Sequence, residues 1–187
     1  MKVKPLHYRR SHLKTEVELK YPVADFSEIR GKLAALGAEQ LCMPVQEINH
    51  IFDKPDGVLS KNGILLRLRH VSEKVILTVK EPVEHDSVKI RKEHETRLSI
   101  TIGAGALMLN ALGFHSVYYY EKIREEWAFQ GAHICLDELY FGKFVEIECE
   151  SVEHLGSVSA RLGLDRKSGL KESYRTLELQ LSGGRKS

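Results

Sequence analysis

The sequence predicts an α+β fold: an eight-stranded antiparallel closed β-barrel, a tunnel with a polar charged interior and flanking helices. Three observations lead to this prediction. Eight segments alternate between apolar and polar residues with a period of two, which indicates β-strands. Helical patterns occur only at strand ends, which favours a closed or nearly closed barrel over a parallel sheet. The charged strand faces repeat a single sign, as in Glu16-Val17-Glu18 and Arg67-Leu68-Arg69.

The first half of the chain supplies four predicted strands and one helix. The strands cover residues 15–21, 46–53, 64–71 and 74–80. Asp25 and Glu28 have the spacing of a capping box, and the helix that follows them ends at Gly37. Residues 54–57 have the composition of a turn, and residues 81–87 are predicted to form a loop because they contain Pro82.

The second half supplies four more strands and the remaining helices. The strands cover residues 89–98, 117–129, 133–139 and 143–150. Thr101 is predicted to cap a helix that ends at Gly113, and two further helices are predicted at 152–162 and 169–181. A strand, a helix ending in Leu-Gly and three strands occur twice, over 15–80 and 89–150. This order indicates an internal repeat.

Composition narrows the class of protein. A chain of 187 residues is long enough for one sizeable domain, predicted over 1–187, with a basic arm at 1–13 and a frayed tail at 183–187. The formal net charge of +2 gives no electrostatic case for nucleic acid. Three cysteines without C-x-x-C spacing argue against a disulfide framework and a zinc site. Since no apolar run reaches 18 residues and no secretory signal is evident, a cytoplasmic protein is expected.

The single-sign faces predict that the charges point into the barrel. The acidic positions are Glu16, Glu18, Asp137, Glu146 and Glu148, and the basic ones are Lys20, Arg67, Arg69, Lys80, Lys122 and Arg124. Helices outside the barrel would cover the opposite, apolar faces. Buried like charges need a neutralising ligand. The acidic positions offer only oxygen ligands, which suit Mg²⁺ or Mn²⁺. The arginines among the basic positions can bind phosphate bidentately. A metal-bound triphosphate would therefore neutralise the acidic and the basic positions together.

Three sets of residues carry less specific signals. Arg91, Glu93 and Glu95 could be either a second set that lines the tunnel or a salt-bridged face. The nine histidines lack ligand spacing and are interpreted as structural or surface groups. Residues 118–120 are three tyrosines on alternating faces, of which no more than one is expected to reach a substrate.

The ordered motifs resemble the CYTH superfamily, also called the triphosphate tunnel metalloenzymes. The resemblance covers about residues 15–181 and rests first on Glu16-x-Glu18-x-Lys20. It is supported by Leu66-Arg67-Leu68-Arg69, Thr78-x-Lys80, Lys122-x-Arg124, Leu136-Asp137 and Glu146-x-Glu148. The resemblance implies a triphosphate inside the tunnel, the five acidic positions as metal ligands and the six basic positions as phosphate contacts. Glu16, Glu18, Lys20 and Arg124 are the expected catalytic residues. A lysine near a tyrosine in a C-terminal helix is also implied, and Lys171, three residues before Tyr174, matches it.

Two enzyme functions and one binding function stay open at this point. The first expectation is a triphosphatase acting on tripolyphosphate, thiamine triphosphate or a nucleoside triphosphate such as ATP, because hydrolysis needs the least additional machinery. A class IV adenylyl cyclase that forms cyclic AMP and pyrophosphate is the second. A non-catalytic polyphosphate or RNA binder is the third, although five carboxylates would repel a polyanion unless a metal intervened. A homodimer is the assembly considered for the chain.

Overall fold

The computed structural model describes residues 14–183, and its main feature is a closed antiparallel barrel. Its strands are β1 (Lys14–Val23), β2 (Glu39–Asp53), β3 (Leu65–Val71), β4 (Lys74–Val83), β5 (Lys89–Leu98), β6 (His115–Phe129), β7 (Ala132–Leu139) and β8 (Gly142–Cys149). Around the barrel they follow the order β1-β5-β4-β3-β2-β6-β7-β8, and β8 pairs with β1 to close it. The predicted fold class is therefore confirmed. The basic arm at 1–13 and the tail beyond residue 183 lie outside the described residues.

Five α-helices flank this barrel in the described part of the chain. They are α1 (Ser27–Ala35), α2 (Val58–Lys61), α3 (Ile102–Ala111), α4 (Val152–Arg161) and α5 (Tyr174–Gly183), and a 3₁₀ turn covers Arg166–Ser168. Thr101 caps α3 as predicted, since its hydroxyl accepts the Ala104 N–H at 3.2 Å. Within residues 14–183 none of the helices is both long and apolar enough to cross a membrane.

The strand order matches the repeat in the sequence. Each repeat contributes a three-stranded meander, β2-β3-β4 or β6-β7-β8, preceded by one further strand. The two leading strands, β1 and β5, pair with each other. β1 also pairs with β8, the last strand of the second meander, and β5 pairs with β4, the last strand of the first. The first strands of the two meanders, β2 and β6, pair with each other. The two repeats are thus related by an approximate two-fold arrangement, and β1 and β5 occupy equivalent places.

The apolar residues lie outside the barrel, beneath the helices. One cluster includes Val17, Leu19 and Ile147 from the strands with Leu33 of α1 and Leu155 of α4. A second lies under α3 and is formed by Phe52, Leu66, Leu68 and Val75. Because side chains alternate across a strand, burying these residues outside directs their charged neighbours inward. The helices therefore allow the barrel to have a charged interior.

One predicted cap and two predicted strand boundaries were wrong in the first half of the chain. The predicted capping box does not form, because Asp25 accepts the Ser27 N–H at 2.7 Å whereas Glu28 pairs with Lys32. Strand β2 begins at residue 39, since register shifts accommodate an irregular stretch before Val45. Strand β4 continues through the predicted loop to residue 83.

The last helix begins later than predicted. Gly169 and Leu170 are extended, and Leu170 exchanges two backbone hydrogen bonds with Lys20 at 2.8 and 3.0 Å. Helix α5 then starts at Tyr174, where the Ser173 hydroxyl accepts the Thr176 N–H at 3.2 Å. This extended segment determines which side chains near the C-terminus reach the barrel interior.

Candidate functional site

The barrel encloses a cavity of about 1050 Å³ lined mainly by charged side chains. Among the described residues its lining includes nine Lys or Arg and seven Glu side chains. Ten of the twelve predicted site residues line it, namely Glu16, Glu18, Lys20, Arg67, Arg69, Lys80, Lys122, Arg124, Glu146 and Glu148. Asp137 and Lys171 do not. Most of the side chains that share the inner faces of the alternating strands therefore surround one cavity.

Three carboxylates in this cavity form a compact group, called here the carboxylate trio: Glu16, Glu18 and Glu148. One oxygen from each lies within 4.8 Å of the other two, and all three residues are buried. Glu18 and Glu148 are direct partners across β1 and β8, and Glu16 shares their face. Oxygen donors at this spacing suit a hard divalent cation, so the trio could hold a metal ion.

The two β1 members of the trio differ in their ionisation. Burial, helped by a hydrogen bond with Glu93, raises the pKa of Glu16 to about 7. Burial also disfavours ionised Glu18, but the ammonium groups of Lys20 and Lys89 hold the pKa of Glu18 well below its usual range. Of these two, Glu16 is therefore the residue whose charged form gains more from an additional nearby cation.

Most cations of the cavity have a carboxylate oxygen within 3.1 Å, whereas Arg67 has a looser ion pair. Lys80 lies 2.6 Å from Glu16, for example, which satisfies its charge. The Arg67 guanidinium is buried, donates to the Thr78 hydroxyl at 3.4 Å and lies 3.8 Å from Glu95. Its Nε has no hydrogen-bond partner among the described residues. The Nε atoms of Arg69 and Arg91 also have no hydrogen-bond partner among the described residues, but both guanidinium groups lie 3.1 Å from a carboxylate. Arg67 is therefore the buried arginine of the cavity most available to an anion.

Asp137 and Glu146, two predicted metal ligands, do not belong to the carboxylate trio, although the Glu146 carboxyl is hydrogen-bonded to that of Glu148. Asp137 is fully buried and accepts hydrogen bonds from Lys122 at 2.9 Å, from Arg124 at 2.7 and 2.5 Å, and from Tyr174 at 2.7 Å. Glu146 accepts from Arg124 at 3.1 Å. In this geometry both carboxylates neutralise buried cations, and their role as metal ligands stays a prediction.

Lys171 does not reach the cavity, contrary to the prediction. It is exposed, and its ammonium group donates to the Asp86 carbonyl at 2.6 Å. The extended segment before α5 directs it to the outside. Tyr174 and Arg175, at the start of α5, line the cavity instead.

The charged residues of β5 were predicted to be either a second set that lines the tunnel or a salt-bridged face, and they are both. Arg91, Glu93 and Glu95 line the cavity, and each is also ion-paired within it. Arg91 reaches Glu18 at 3.1 Å, and Glu93 reaches Lys80 at 3.2 Å. β5 is thus the counterpart of β1, as its equivalent position in the repeat requires.

Sequence reasoning missed two inward residues on β2. Glu47 is buried between Arg69, at 3.1 Å, and Lys122, at 3.5 Å, and these cations lower its pKa despite burial. Asn49 is fully buried, and neither polar atom of its amide has a hydrogen-bond partner among the described residues. The signal was present, because Glu47-x-Asn49 has the same period of two as the other inner faces.

One part of the cavity is aromatic and apolar. Tyr118 and Tyr120 both line it and stack with their ring centroids 5.4 Å apart, whereas no more than one of the three tyrosines was expected to reach a substrate. The Tyr118 hydroxyl donates to Glu178 of α5. Ile51 and Leu179 add apolar surface. The cavity therefore has a charged region and a region suited to an organic group.

His133 also lines the cavity, although the histidines were predicted to be structural or surface groups. Its Nε2 lies 3.1 Å from Glu126, its Nδ1 lies 3.4 Å from Glu148, and the Cys135 sulfur lies 3.6 Å from the same Nδ1. Hydrogen bonds with Cys135, Glu126 and Glu148 raise the pKa of His133 to about 12. Without a bound ion, its imidazolium therefore bridges two carboxylates.

Comparison with known proteins identifies what the chain is similar to. The CYTH domain family matches residues 14–174. Adenylate cyclase CyaB of Aeromonas hydrophila is 30% identical over 175 residues, with 87% of each chain covered. Solved structures from Vibrio parahaemolyticus and Pyrococcus horikoshii have TM-scores of 0.78 and 0.72 at 23% and 29% identity. Each covers 88% of this chain and 98% of the other.

Proposed function

This chain belongs to the CYTH family, and from that premise we propose that it is a divalent-metal-dependent triphosphatase. The substrate would be inorganic triphosphate, thiamine triphosphate or a nucleoside triphosphate. The observation that carries the proposal is that the carboxylate trio and several buried Lys and Arg side chains line the same cavity. A polyanion bound to a divalent cation is the ligand that satisfies both.

The charge balance supports a polyanion rather than a neutral ligand. Nine basic side chains face seven acidic ones in the described cavity lining, and Glu47 and Asp137, which pair with the same cations, bring the acidic groups to nine. A divalent cation would add two positive charges to this balance. The Arg67 guanidinium, with its unpartnered Nε, could bind two phosphate oxygens at once. Lys20 lies 3.0 Å from Glu18 of the trio and could contact a phosphate that also reaches the metal.

Catalysis would rest mainly on positioning and electrostatic stabilisation, as is general for phosphoryl transfer. Glu16, Glu18 and Glu148 would hold Mg²⁺ or Mn²⁺, which supplies Lewis-acid polarisation and lowers the pKa of a bound water. Arg67 and the other basic wall residues would fix the phosphate chain and neutralise its charge. Most of these charged side chains are buried in the barrel, where electrostatic interactions are stronger than in bulk water.

Adenylyl cyclase activity is the second candidate. The Aeromonas relative carries that name, and stacked Tyr118 and Tyr120 offer an aromatic surface on which a base could lie. The same Lys and Arg side chains of the cavity would bind the phosphates in either reaction, because the two reactions differ only in the nucleophile and in the phosphorus atom that it attacks. A ribose hydroxyl attacking the α-phosphorus gives cyclic AMP and pyrophosphate, whereas water attacking the terminal phosphorus gives phosphate.

Product identification tests the proposal and separates the two candidates. The protein is incubated with tripolyphosphate, thiamine triphosphate or ATP, each with Mg²⁺ or Mn²⁺, and the products are resolved by chromatography. Release of phosphate that depends on the metal is expected. Cyclic AMP with stoichiometric pyrophosphate from ATP would replace the first candidate by the second. Binding of these ligands without turnover, retained after Glu16→Gln plus Glu18→Gln, would favour the non-catalytic binder.

Replacing Arg67 by alanine should lower kcat/KM for the triphosphate about 10- to 100-fold. A hydrogen bond to a charged group contributes about 1.5–3 kcal/mol, and the loss appears in KM, or also in kcat if the contact tightens in the transition state. Steady-state kinetics measure both constants. Arg97→Ala is the matched control, because Arg97 is exposed on β5 and does not line the cavity. An unchanged kcat/KM in Arg67→Ala would remove Arg67 from the phosphate site.

A further inference from the structure

We propose that His133, Cys135 and Glu148 form a second metal site, which takes a thiophilic divalent ion such as Zn²⁺. These residues offer nitrogen, sulfur and oxygen donors, whereas the carboxylate trio offers oxygen alone. Their donor atoms all lie within 4.8 Å of one another. Thiolate and imidazole ligands select Zn²⁺ or Co²⁺ over Mg²⁺, so the two sites differ in the kind of ion that they bind.

The distances between the donors match a tetrahedral ion. With Zn–S of about 2.3 Å and Zn–N of about 2.0–2.1 Å, tetrahedral geometry requires the nitrogen and sulfur to be about 3.6 Å apart. The observed distance from the Cys135 sulfur to His133 Nδ1 is 3.6 Å. A nitrogen and a carboxylate oxygen require about 3.4 Å by the same geometry. Glu148 Oε2 lies 3.4 Å from His133 Nδ1.

A second carboxylate orients the imidazole for this role. Glu126 lies 3.1 Å from His133 Nε2, on the side of the ring opposite to Nδ1. Donation of the Nε2–H to Glu126 fixes the ring so that Nδ1 faces Cys135 and Glu148. Histidines that bind metals commonly donate their other ring N–H to a carboxylate in this way. Ion binding would release to solvent the proton on Nδ1 and the thiol proton.

The ligands lie on two strands, which explains why the sequence contains no metal-binding spacing motif for this site. His133 and Cys135 lie two residues apart on β7, so they share its inner face, and Glu148 is the direct β8 partner of His133. Cys135 is fully buried, whereas His133 lines the cavity, which gives an ion a route to the site. The expectation of no zinc site rested on C-x-x-C spacing, and a ligand set assembled across two strands does not require that spacing.

The inference is independent of the proposed triphosphatase activity. Glu148 belongs both to this set and to the carboxylate trio, so it would be the residue that two neighbouring ions share or compete for. The hard-ion site could fail while the thiophilic site binds, or the reverse. Spectroscopy of a bound ion distinguishes these cases without an activity assay.

Cobalt titration of the metal-free protein tests the site, because Co²⁺ reports its own ligands. We expect a near-ultraviolet sulfur-to-cobalt charge-transfer band and intense visible bands of a four-coordinate ion, both lost on adding Zn²⁺. Cys135→Ser should abolish the charge-transfer band. Glu126→Gln should keep the band but weaken Co²⁺ affinity by about 10- to 100-fold. Cys149→Ser is the matched control, since Cys149 is a buried cysteine packed in the outer core, and it should keep the band.

Absence of the charge-transfer band in the unaltered protein would overturn the proposal, as would its persistence in Cys135→Ser. Since Cys135→Ser could fail to fold, a second measurement uses a protein that retains the site. X-ray absorption of Zn²⁺ bound to Cys42→Ser plus Cys149→Ser should show one sulfur at about 2.3 Å with nitrogen or oxygen neighbours. A zinc shell without sulfur would equally reject Cys135 as a ligand.

Discussion

Replacing Glu18 by glutamine should reduce Mg²⁺-dependent turnover of the triphosphate about a thousandfold. The barrel should still fold but with lower stability, because Glu18 is also the buried partner of Lys20, Lys89 and Arg91. The substitution keeps the size of the side chain but removes one negative charge from the carboxylate trio. The charge that is lost is the one that Lys20 contacts at 3.0 Å and Lys89 at 2.7 Å. Electrostatic stabilisation by a bound ion contributes several kcal/mol, and about 1.4 kcal/mol corresponds to a tenfold change in rate. Turnover measured across a Mg²⁺ titration gives the result.

The control for Glu18→Gln is Glu138→Gln. Glu138 lies on β7, is half exposed and pairs with Lys143 at 3.1 Å, away from the cavity. Circular dichroism should report the same barrel in both variants. If Glu18→Gln retained full turnover at limiting Mg²⁺, Glu18 would not be a metal ligand, and the trio would lose its proposed role.

Replacing Asp137 by asparagine should destabilise the folded protein by about 3–5 kcal/mol. The variant leaves the buried Lys122 and Arg124 without the carboxylate that both contact. Removing one partner of a buried ion pair typically lowers the free energy of unfolding by about 3–5 kcal/mol. Chemical denaturation at neutral pH, without metal, measures the free energy of unfolding. Asp86→Asn is the control, because Asp86 is exposed, and it should change stability by about 0.5 kcal/mol or less.

The effect of Asp137→Asn should also depend on pH. Burial opposes ionisation of Asp137, but Arg124 and Lys122 lower its pKa below the usual value. A lowered pKa in the folded state contributes stability that is present above the unfolded value, about 3.9, and is lost as pH falls through the folded pKa. The difference between the wild type and the variant should therefore be largest near neutral pH and shrink below about pH 4. A difference that stays constant down to acid pH would contradict the assigned ion pairs.

The fold and most of the cavity lining could be predicted because a period of two is a strong constraint. Once Val17 and Leu19 are buried outside, Glu16, Glu18 and Lys20 must point to the other face. The same argument, applied to every strand, brought ten predicted side chains around one cavity. Glu47 and Asn49 obey the same rule and were missed because a single acid beside an amide does not repeat one sign.

The remaining differences from the predicted arrangement came from tertiary contacts that leave no local pattern. Lys171 lies outside because Leu170 pairs with the backbone of Lys20, and such pairing cannot be read from residues near 171. Asp137 has the correct strand and face, but its partners on β6 hold it away from the trio. His133 and Glu148 are 15 residues apart and meet through the register of β7 and β8. Alternation specifies a face, whereas register and loop path specify which groups on that face meet.

Closure of the barrel through β1 has a consequence for the order of folding. β1 joins β5 on one side and β8 on the other, and Glu18 stands opposite Glu148 across the second seam, 130 residues away along the chain. Contacts of such long sequence separation carry a high loop-closure entropy and form late. The carboxylate trio therefore does not exist in any intermediate that lacks the β1–β8 seam. A cation bound to the trio would bind the closed barrel and not the open chain, so it would raise the free energy of unfolding.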